Sequence, residues 1–273
     1  MSAAALAPPL LWPAEAIWQA VEPALSGFSV EIRPELESTN TELMRRARLG
    51  HADPVLLVAE RQTAGRGRLG RHWSSHGADV QAPGQAAQPS ASLTFSLGLA
   101  LAPQDWSGLS LAVGLVVAHS LHPSVRLKWP NDLWVGDRKL GGILIETLAV
   151  GPLRYAVIGI GINIDLPVAQ GLRTPAAALR DVLPATDAAQ ALGCIALPLV
   201  QTVLRFEQEG FGPLRTAFHE RDLLLGREVV CTDGTVGQAR GVDASGALLV
   251  HTADGLKKVS SAEVSVRALA AGA

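Results

Sequence analysis

The chain has 273 residues, of which 48% are apolar and 18% are charged. This length and composition predict a large domain, alone or with a small one, and exclude a mainly disordered chain. Lysine and arginine number 23 against 25 aspartates and glutamates, and a net charge of −2 excludes a molecule-wide positive field for nucleic acid or anionic membrane.

Cysteine content and hydropathy bear on where the protein works. Cys194 and Cys231 are too few for a disulfide framework, which favours a reducing compartment. The apolar start Met1–Pro13 contains no Lys or Arg, so it lacks the basic region of a secretory signal. The uncharged stretch Gly108–Val125 is interrupted by two histidines and a proline and predicts a buried helix rather than a membrane span. We therefore expect a cytoplasmic protein.

Helix and strand patterns alternate in the first half of the chain. The predicted elements are a helix over Pro13–Val21, a strand over Phe28–Ile32 that ends before Pro34, a helix that starts at Thr39, and strands over Pro54–Ala59 and Leu93–Leu101 with a helix over Trp106–Leu121 after them. Thr39 and Glu42 have the spacing of a capping box. Ala78–Ser90 has no periodicity and predicts a protruding loop.

The second half predicts more strands, then helices, then short hairpins. Strands are expected around Arg126–Trp129, Asp132–Val135, Gly142–Ala149 and Arg154–Ile164, with a turn at Gly151-Pro152, and a helical region from Pro175 to Leu224 with Leu197, Val200, Leu204 and Phe206 facing inward. After Gly226, short β-type runs are separated by Asp233-Gly234, Ser245-Gly246 and Asp254-Gly255. They predict a small barrel of about five strands. The fold class is thus α+β, a mixed sheet flanked by helices, with domains at residues 1–224 and 225–273.

The most unusual segment, Arg61–Arg71, holds four arginines and three glycines directly after a buried strand. Glycine lets backbone N–H groups approach an anion closely, and arginine adds planar, permanently charged donors. The segment therefore predicts a clamp for a nucleotide phosphate or a carboxylate.

Other interpretations of this segment remain open. Gly65, Gly67 and Gly70 match the spacing of a dinucleotide-binding fingerprint, but no helix pattern follows and position 90 is Ser instead of an acid. A flexible basic loop that binds RNA is a second alternative, with Trp73 as a stacking surface. A third alternative is a stretch of charged residues that is simply exposed to solvent, and the regular spacing of glycines between the arginines argues against it.

A second cluster runs from Lys128 to Leu133. The chain has only four lysines against nineteen arginines, so Lys128 suggests a need for a compact ammonium between a carboxylate and a phosphate. The alternative is a lysine at a strand end whose stem covers Trp129.

Three weaker motifs complete the candidate site. Gly141 and Gly142, after Arg138-Lys139, allow a group to approach the strand backbone, although a bulge explains them equally well. Asn163, after Gly159 and Gly161, has an amide that can read a purine edge. Glu37–Asn40 places small polar side chains at a helix start, where simple capping is an equally good explanation.

Taken together and in this order, these motifs closely resemble the catalytic core of the biotin protein ligases. The resemblance covers about Phe28 to Gly226, and the terminal β-module resembles the small SH3-like domain of that family. It implies the class II synthetase or biotin/lipoate ligase type of core. It also implies a two-step reaction, in which biotin and Mg²⁺-ATP give biotinyl-adenylate and a lysine of a biotin carboxyl carrier domain then takes the biotinyl group.

The resemblance assigns roles to individual residues. The implied biotin-binding residues are Ser38, Thr39, Asn40, Gln62, Arg66, Gly67, Arg68, Lys128, Gly141 and Gly142. The implied nucleotide-binding residues are Gly65, Arg66, Gly70, Arg71, Trp73, Asn131, Lys139 and Asn163. Lys128, Arg66, Arg68 and Asp132 are the expected catalytic residues. Asp132 is chosen not by the resemblance but because the carrier lysine must lose a proton, which a nearby carboxylate can accept. No metal ligand is assigned. Leu69 departs from the pattern, because many relatives carry another arginine there.

The resemblance also bears on the partners of the protein and on alternatives to the implied function. Some family members carry an amino-terminal winged helix-turn-helix, but only 37 residues precede Ser38, so we expect no DNA-binding domain. Sheets in this family often pair edge to edge, so the resemblance also suggests a homodimer. The alternative activities are a lipoate or octanoate ligase of the same fold and a non-catalytic RNA-binding module.

Overall fold

A computed structural model describes residues 10–75, 91–150, 153–167, 174–260 and 266–268. The chain divides into two compact units, residues 1–100 with 138–197 and residues 101–137 with 198–273. The helices are α1 (Ala14–Val21), α2 (Thr39–Arg48), α3 (Leu109–Leu121), α4 (Ala188–Glu209) and α5 (Arg215–Arg221). The start of the chain up to residue 9, the predicted loop at 78–90 and the predicted turn at 151–152 lie outside the described residues.

Fourteen strands are found in the part of the chain that the structure describes. Those up to residue 101 are β1 (Ser29–Leu36), β2 (Val55–Gln62), β3 (Gly65–Arg66), β4 (His72–Trp73) and β5 (Ser92–Leu101). The next are β6 (Val125–Lys128), β7 (Asp132–Val135), β8 (Arg138–Val150) and β9 (Leu153–Asn163). The last are β10 (Glu228–Cys231), β11 (Val236–Val242), β12 (Leu248–Thr252), β13 (Gly255–Val259) and β14 (Val266–Ala268).

The first unit is built on a mixed sheet in which β1, β2, β5, β9 and β8 are neighbours in that order. β1 and β2 are parallel, whereas β2 with β5 and β8 with β9 are antiparallel. The predicted mixed sheet is thereby confirmed. β1 continues to Leu36, past the expected end at Pro34, because an edge strand tolerates a residue without an N–H.

Helix α2 covers one part of this sheet. Its amino-terminal cap is Ser38, whose hydroxyl accepts a hydrogen bond from the Thr41 N–H at 3.4 Å, so the cap lies one residue before the predicted Thr39. Its apolar side chains pack in a buried cluster with β2 and β9, made of Leu43, Met44, Ala47, Val55, Leu57, Tyr155 and Val157. This packing fixes the start of the helix, which carries the Ser-Thr-Asn motif, against the sheet.

The second unit contains α3, the β6–β7 hairpin and the carboxy-terminal sheet. Nine of the thirteen residues of α3 are buried, as expected for a core helix. The helix starts at Leu109, three residues later than predicted, because Gly108 adopts φ +81° and has Phe211 where a Cβ would lie. Trp129 is buried, and its Nε1–H donates to the Gly246 carbonyl at 3.0 Å.

Helix α4 spans residues of both units and is long and apolar enough to cross a membrane by length and composition alone. Half of its most apolar stretch is buried, as in a core helix, and Pro198 lies inside it. Of the predicted inward-facing side chains, Val200 and Phe206 are buried, whereas Leu197 and Leu204 are only partly so. The buried face instead includes Ile195, Leu199 and Val203, which follow helical spacing more closely.

The carboxy-terminal strands form an antiparallel sheet in the order β13, β12, β11, β10, β14. The predicted hairpin turns are present, with positive φ at Gly234, Gly246 and Gly255. Within residues 226–260 and 266–268 the pairings leave β13 and β14 as open edges, so the expected closed barrel is not observed. Lys257 and Lys258 on β13 are typical of an exposed edge strand. The predicted domain boundary at residues 224/225 stays a prediction.

Candidate functional site

The arginine- and glycine-rich segment forms a short hairpin. Strands β3 and β4 pair Gly65 with Trp73 and Arg66 with His72, and a 3₁₀ turn over Arg68–Gly70 joins them. We call residues 65–73 the Arg-Gly hairpin. The Gly67 N–H donates to the Arg71 carbonyl at 2.7 Å, which closes the turn. The predicted loop is therefore a backbone-bonded hairpin that carries Arg66, Arg68 and Arg71.

The backbone of this hairpin is unusual at its base, where Gly65 lies, and at its tip, where Leu69 and Gly70 lie. A Cβ at Gly65 would overlap the Trp73 carbonyl oxygen, so only glycine permits this pairing. At the tip, Leu69 adopts φ 56° and ψ 36° and is 58% exposed, next to Gly70 with φ +68°. A left-handed conformation costs a leucine roughly 1–2 kcal/mol. The departure at Leu69 thus places an exposed apolar side chain on a strained tip.

Thr39 and Gln62 are joined by buried hydrogen bonds. The Thr39 N–H and Oγ1–H both donate to Gln62 Oε1, at 2.8 and 3.2 Å. Because Oε1 is the acceptor, the Gln62 amide is oriented with Nε2 toward Gly65, at the start of the hairpin. Ser96 Oγ on β5, which is fully buried, lies 2.7 Å from Thr39 Oγ1. These bonds hold two predicted biotin-binding residues in one fixed arrangement.

Asn40 forms a second branch from the same serine. Ser96 Oγ lies 2.7 Å from Asn40 Oδ1, and Asn40 Nδ2 donates to the Leu144 carbonyl at 3.2 Å and to Glu146 Oε2 at 2.9 Å. A Cβ at Gly159 would overlap Asn40 Oδ1, so this glycine makes room for the amide. Both N–H groups of Asn40 therefore bond to β8, and its oxygen already faces Ser96, so the expected contact with biotin would have to share that oxygen.

Ser75 connects the end of β2 to the residues after the hairpin. Its hydroxyl accepts from the Gln62 N–H at 2.8 Å and donates to the Gln62 carbonyl at 3.0 Å. The Ser92 hydroxyl donates to the Ser75 carbonyl at 3.3 Å. Gln62 is consequently restrained through its backbone by Ser75 and through its side chain by Thr39.

Glycines on β8 and β9 leave room for other protein groups to pack against the strand backbone. A Cβ at Gly161 would lie 2.5 Å from Trp73 Cε2, so the indole of Trp73 packs directly on the β9 backbone. The Trp73 Nε1–H is buried with no hydrogen-bond partner among the described residues. A Cβ at Gly141 would overlap the Gly161 carbonyl, and Gly142 pairs with Gly161. Close strand packing thus accounts for Gly141, and the Trp73 indole accounts for Gly161.

Asn163 and Lys139 hold a loop segment at the end of the sheet. Asn163 Nδ2 donates to the Ala177 carbonyl at 3.0 Å and the Lys139 carbonyl at 3.4 Å. The Lys139 backbone also bonds to Pro175 and Ala177. If Asn163 hydrogen-bonds to a purine edge as expected, it must do so through its side-chain carbonyl oxygen, because its N–H donors are already bonded.

Lys128, Asn131 and Asp132 belong to the second unit. Lys128 pairs with Asp132 across the β6–β7 hairpin, and its Nζ lies 4.6 Å from the centroid of the Trp134 ring. The ammonium of Lys128 therefore makes a cation–π contact with Trp134. The alternative, in which the lysine stem covers Trp129, stays a prediction. The Ser110 hydroxyl donates to the Pro130 carbonyl at 2.7 Å and fixes the turn between the two strands.

The two units divide the predicted site residues between them. The first unit contains Ser38, Thr39, Asn40, Gln62, Gly65, Arg66, Gly67, Arg68, Gly70, Arg71, Trp73, Lys139, Gly141, Gly142 and Asn163, and the second contains Lys128, Asn131 and Asp132.

Three residues of the site, Ser75, Ser96 and Glu146, are not predicted from the sequence. A signal existed for Ser96, because Ser92, Thr94 and Ser96 alternate within an otherwise apolar strand. In the described ranges no group of three or more His, Cys, Asp or Glu side chains offers a metal site.

The first unit combines a mixed sheet, an arginine-rich hairpin and a buried hydrogen-bond network, and its sequence places it in the class of biotin and lipoate protein ligases. Residues 34–163 match the profile of the biotin/lipoate A/B protein ligase family, and residues 224–267 match the biotin protein ligase C-terminal domain.

Known proteins narrow the class further. The chain is 35% identical to the bifunctional ligase/repressor BirA of Escherichia coli, over 89% of this chain and 75% of that protein. It is 33% identical to the biotin--[acetyl-CoA-carboxylase] ligase of Paracoccus denitrificans, over 84% of this chain and 96% of that one. A structure of the Aquifex aeolicus biotin protein ligase in complex with biotin and ATP superposes with a TM-score of 0.72 at 27% identity, covering 88% of this chain and 99% of that chain. The chain belongs to the biotin protein ligase family.

Proposed function

We propose that this protein joins biotin to a lysine of a biotin carboxyl carrier domain, with ATP as the energy source and biotinyl-5′-AMP as the intermediate. One observation carries the proposal: the network of Thr39, Gln62 and Ser96 ends at the Arg-Gly hairpin within one unit. A ligand with a neutral polar head and a carboxylate tail matches this arrangement. Biotin has a ureido head and a carboxylate tail.

The uncharged network is proposed to hold the biotin head. Ser38, Thr39, Asn40 and Gln62 are all buried, and their hydroxyl and amide groups are oriented by protein hydrogen bonds. A neutral ureido group can exchange hydrogen bonds with such groups without the cost of burying a charge. Lipoate and octanoate lack a ureido group, so this network favours biotin.

The hairpin is proposed to hold the anions. Arg66, Gly67 and Arg68 contact the biotin carboxylate and the α-phosphate, and Gly65, Gly70, Arg71 and Trp73 complete the nucleotide contacts with Asn131, Lys139 and Asn163. The approach of a carboxylate to a triphosphate is opposed by repulsion between like charges. Arginine side chains reduce this repulsion and stabilise the charge that develops on the phosphate oxygens.

In the first step, a biotin carboxylate oxygen forms a bond to the α-phosphorus of ATP, and the bond to pyrophosphate breaks. The carboxylate is already ionised near neutral pH, so this step requires no general base. In the second step, the carrier amine forms the amide bond at the biotinyl carbonyl and AMP leaves. The attacking amine has a reference pKa of about 10.4 and must lose a proton, for which Asp132 is the proposed acceptor.

Two lysines compete for the position between carboxylate and phosphate. Lys128 remains the proposed residue because of its compact charge, although it stacks on Trp134 in the second unit. Lys139 is the second candidate, since it belongs to the same unit as Thr39, Gln62 and Arg66. Alanine variants of the two lysines separate these assignments.

The remaining components follow from the chemistry of the substrates. Mg²⁺ would enter as the ATP complex, since the described residues offer no cluster of carboxylates to hold it, and no step above depends on it. The carrier domain would be that of a biotin-dependent carboxylase, and the proposal includes a cytoplasmic location and a homodimer.

The direct test mixes the protein with labelled biotin, Mg²⁺-ATP and a purified carrier domain. Label is expected on the carrier, and biotinyl-adenylate and pyrophosphate are expected when the carrier is omitted. If labelled biotinyl-adenylate never forms, the proposal is rejected. A protein that binds RNA with a steep salt dependence and ignores ATP would support the alternative binding module.

Variants of the cationic side chains test the proposed roles. Arg66→Ala and Lys128→Ala are expected to slow pyrophosphate release by roughly 10²–10³-fold, comparable to the loss of a preorganised oxyanion donor. Lys139→Ala is measured in parallel. If Lys128→Ala is fully active and Lys139→Ala is not, the bridging role passes to Lys139.

A further inference from the structure

Glu146 on β8 contacts two parts of the candidate site at once. Its Oε1 lies 3.0 Å from Arg66 Nη2 of the Arg-Gly hairpin, and its Oε2 lies 3.4 Å from Arg66 Nη1. Asn40 Nδ2 donates to the same Oε2 at 2.9 Å. One carboxylate thus joins α2, the sheet and the hairpin.

The Asn40 side of this arrangement is rigid. The Asn40 amide oxygen faces Ser96 Oγ, and its second N–H donates to the Leu144 carbonyl. Gly159 leaves the amide no spare room on the sheet side. Because Asn40 is buried and held on all these sides, it gives the partly exposed Glu146 carboxylate a fixed hydrogen-bond donor.

Arg66 is the more exposed of the two partners. The Arg66 side chain is 49% exposed, whereas that of Glu146 is 22% exposed. A guanidinium has five N–H donors in a rigid plane, and the two contacts with Glu146 employ two of them. A carboxylate on one edge of the guanidinium therefore orients the other donors and still leaves the group able to bind a second anion.

We propose that Glu146 is a positioning residue, which holds Arg66 and with it the Arg-Gly hairpin against the sheet before any substrate binds. The restraint on the hairpin is a property of the ligand-free protein, and only its effect on the adenylate rests on the proposed function. Through Asn40, the orientation of Arg66 depends on the same network that is proposed to hold the biotin head.

Limited proteolysis tests the restraint without any ligand. Trypsin cleaves after arginine, and mass spectrometry of the fragments identifies cleavage after Arg66, Arg68 and Arg71. Glu146→Gln keeps the side-chain size and can keep an acceptor oxygen for Asn40 at the Oε2 position. It removes the charge, however, and it then places an NH₂ group in place of the oxygen that accepts from Arg66 Nη2. Cleavage in the hairpin is expected to rise roughly fivefold, because proteolysis follows the population of the open form.

Glu35→Gln is the matched control. It removes an ion pair of the same type, between Glu35 and Arg61 at 3.1 Å, from the β1–β2 region beside the hairpin. Hairpin cleavage in this variant is expected at the wild-type rate. Glu146→Asp, which keeps the charge but is too short for both contacts, is expected to behave like Glu146→Gln and serves if the amide variant folds poorly.

A second measurement connects the restraint to the adenylate. Biotinyl-adenylate is expected to leave Glu146→Gln several-fold faster than wild type, and the effect is expected to vanish in an Arg66→Ala background, because both changes remove the same contact. If no adenylate forms in the wild type, the proposed function fails while the proteolysis result still stands. Wild-type cleavage in both Glu146 variants, or additive effects with Arg66→Ala, would overturn the positioning role.

Discussion

Ser96 has a single hydroxyl proton and two oxygen neighbours, Thr39 Oγ1 and Asn40 Oδ1, each at 2.7 Å. The proton can be donated to only one of them at a time, so the orientation of the Thr39 hydroxyl is coupled to that of the Asn40 amide. Both branches of the candidate biotin site therefore depend on one buried side chain.

Ser96→Ala is expected to lower biotin affinity about tenfold and the free energy of unfolding by about 1–3 kcal/mol, because it leaves a buried polar neighbour without its partner. Calorimetric biotin titration and denaturant unfolding measure the two effects. Thr94→Val is the control, since the Thr94 hydroxyl is equally buried on β5 but donates to the Ala59 carbonyl at 2.7 Å. It is expected to lose stability while biotin affinity is unchanged, and equal affinity losses in both variants would contradict a specific role for Ser96.

The same residues indicate how far the sequence predicts the site. Ser38, Thr39, Asn40 and Gln62 stand out because polar residues cluster at a helix start and a strand end. Glu146 does not, because one acid on a half-exposed strand is ordinary in sequence. Its partners lie 80 and 106 residues away, and that proximity exists only after the sheet has formed.

At the scale of elements, local signals predict where helices and strands exist better than where they end. The pattern of α2 is local, so its apolar face is predicted correctly. The continuation of β1 past Pro34 depends on its edge position, and the late start of α3 depends on Phe211 packing against Gly108. Both are tertiary effects, which override local propensity.

Helix α2 is also joined to β1 by an ion-pair network. Glu42 accepts hydrogen bonds from Arg45 and Arg46, and Arg46 also bonds to Glu31 on β1. The hydrogen bond from Arg45, together with those from Arg46, lowers the pKa of Glu42 from 4.5 to about 2. Because this pKa is lower in the folded state, the stabilisation is present above about pH 4.5 and is lost as the pH falls toward 2.

Glu42→Gln is therefore expected to unfold more easily than wild type at pH 7 and to lose this difference progressively between pH 4.5 and 2. Denaturant midpoints measured across this range check the prediction. Repeating the series at high salt provides a control, since partly exposed pairs are screened and the difference at pH 7 should shrink. A difference that stays constant down to pH 2 would refute it.

At the scale of the whole chain, sequence periodicity cannot reveal units built from separate segments. The second unit combines residues 101–137 with residues 198–273, and the Trp129–Gly246 and Ser110–Pro130 hydrogen bonds lie within it. Composition changes near Leu224, which is why a boundary is predicted there, but contacts between distant segments leave no trace in local composition.

Asp222 lies inside this second unit, at a bridge between the end of α5 and β6. The residue is 3% exposed, its Oδ1 accepts from the Leu224 N–H at 2.9 Å, and its Oδ2 has no hydrogen-bond partner among the described residues. Burial raises the pKa of Asp222 from 3.8 to about 6. The folded protein then binds a proton more tightly than the unfolded chain, so its stability decreases as the pH rises from about 4 to 6.

Asp222→Asn keeps the side chain uncharged at every pH, so the stability difference between the variant and wild type should depend on pH. Relative to its value at pH 4, the variant is expected to gain stability over wild type as the pH rises to 7, by up to about 3 kcal/mol for a shift of this size. Denaturant unfolding at several pH values, followed by tryptophan fluorescence and circular dichroism, measures the difference. Parallel pH profiles for the two proteins would mean that the Asp222 carboxyl titrates as it does in the unfolded chain, and that its burial carries no electrostatic cost.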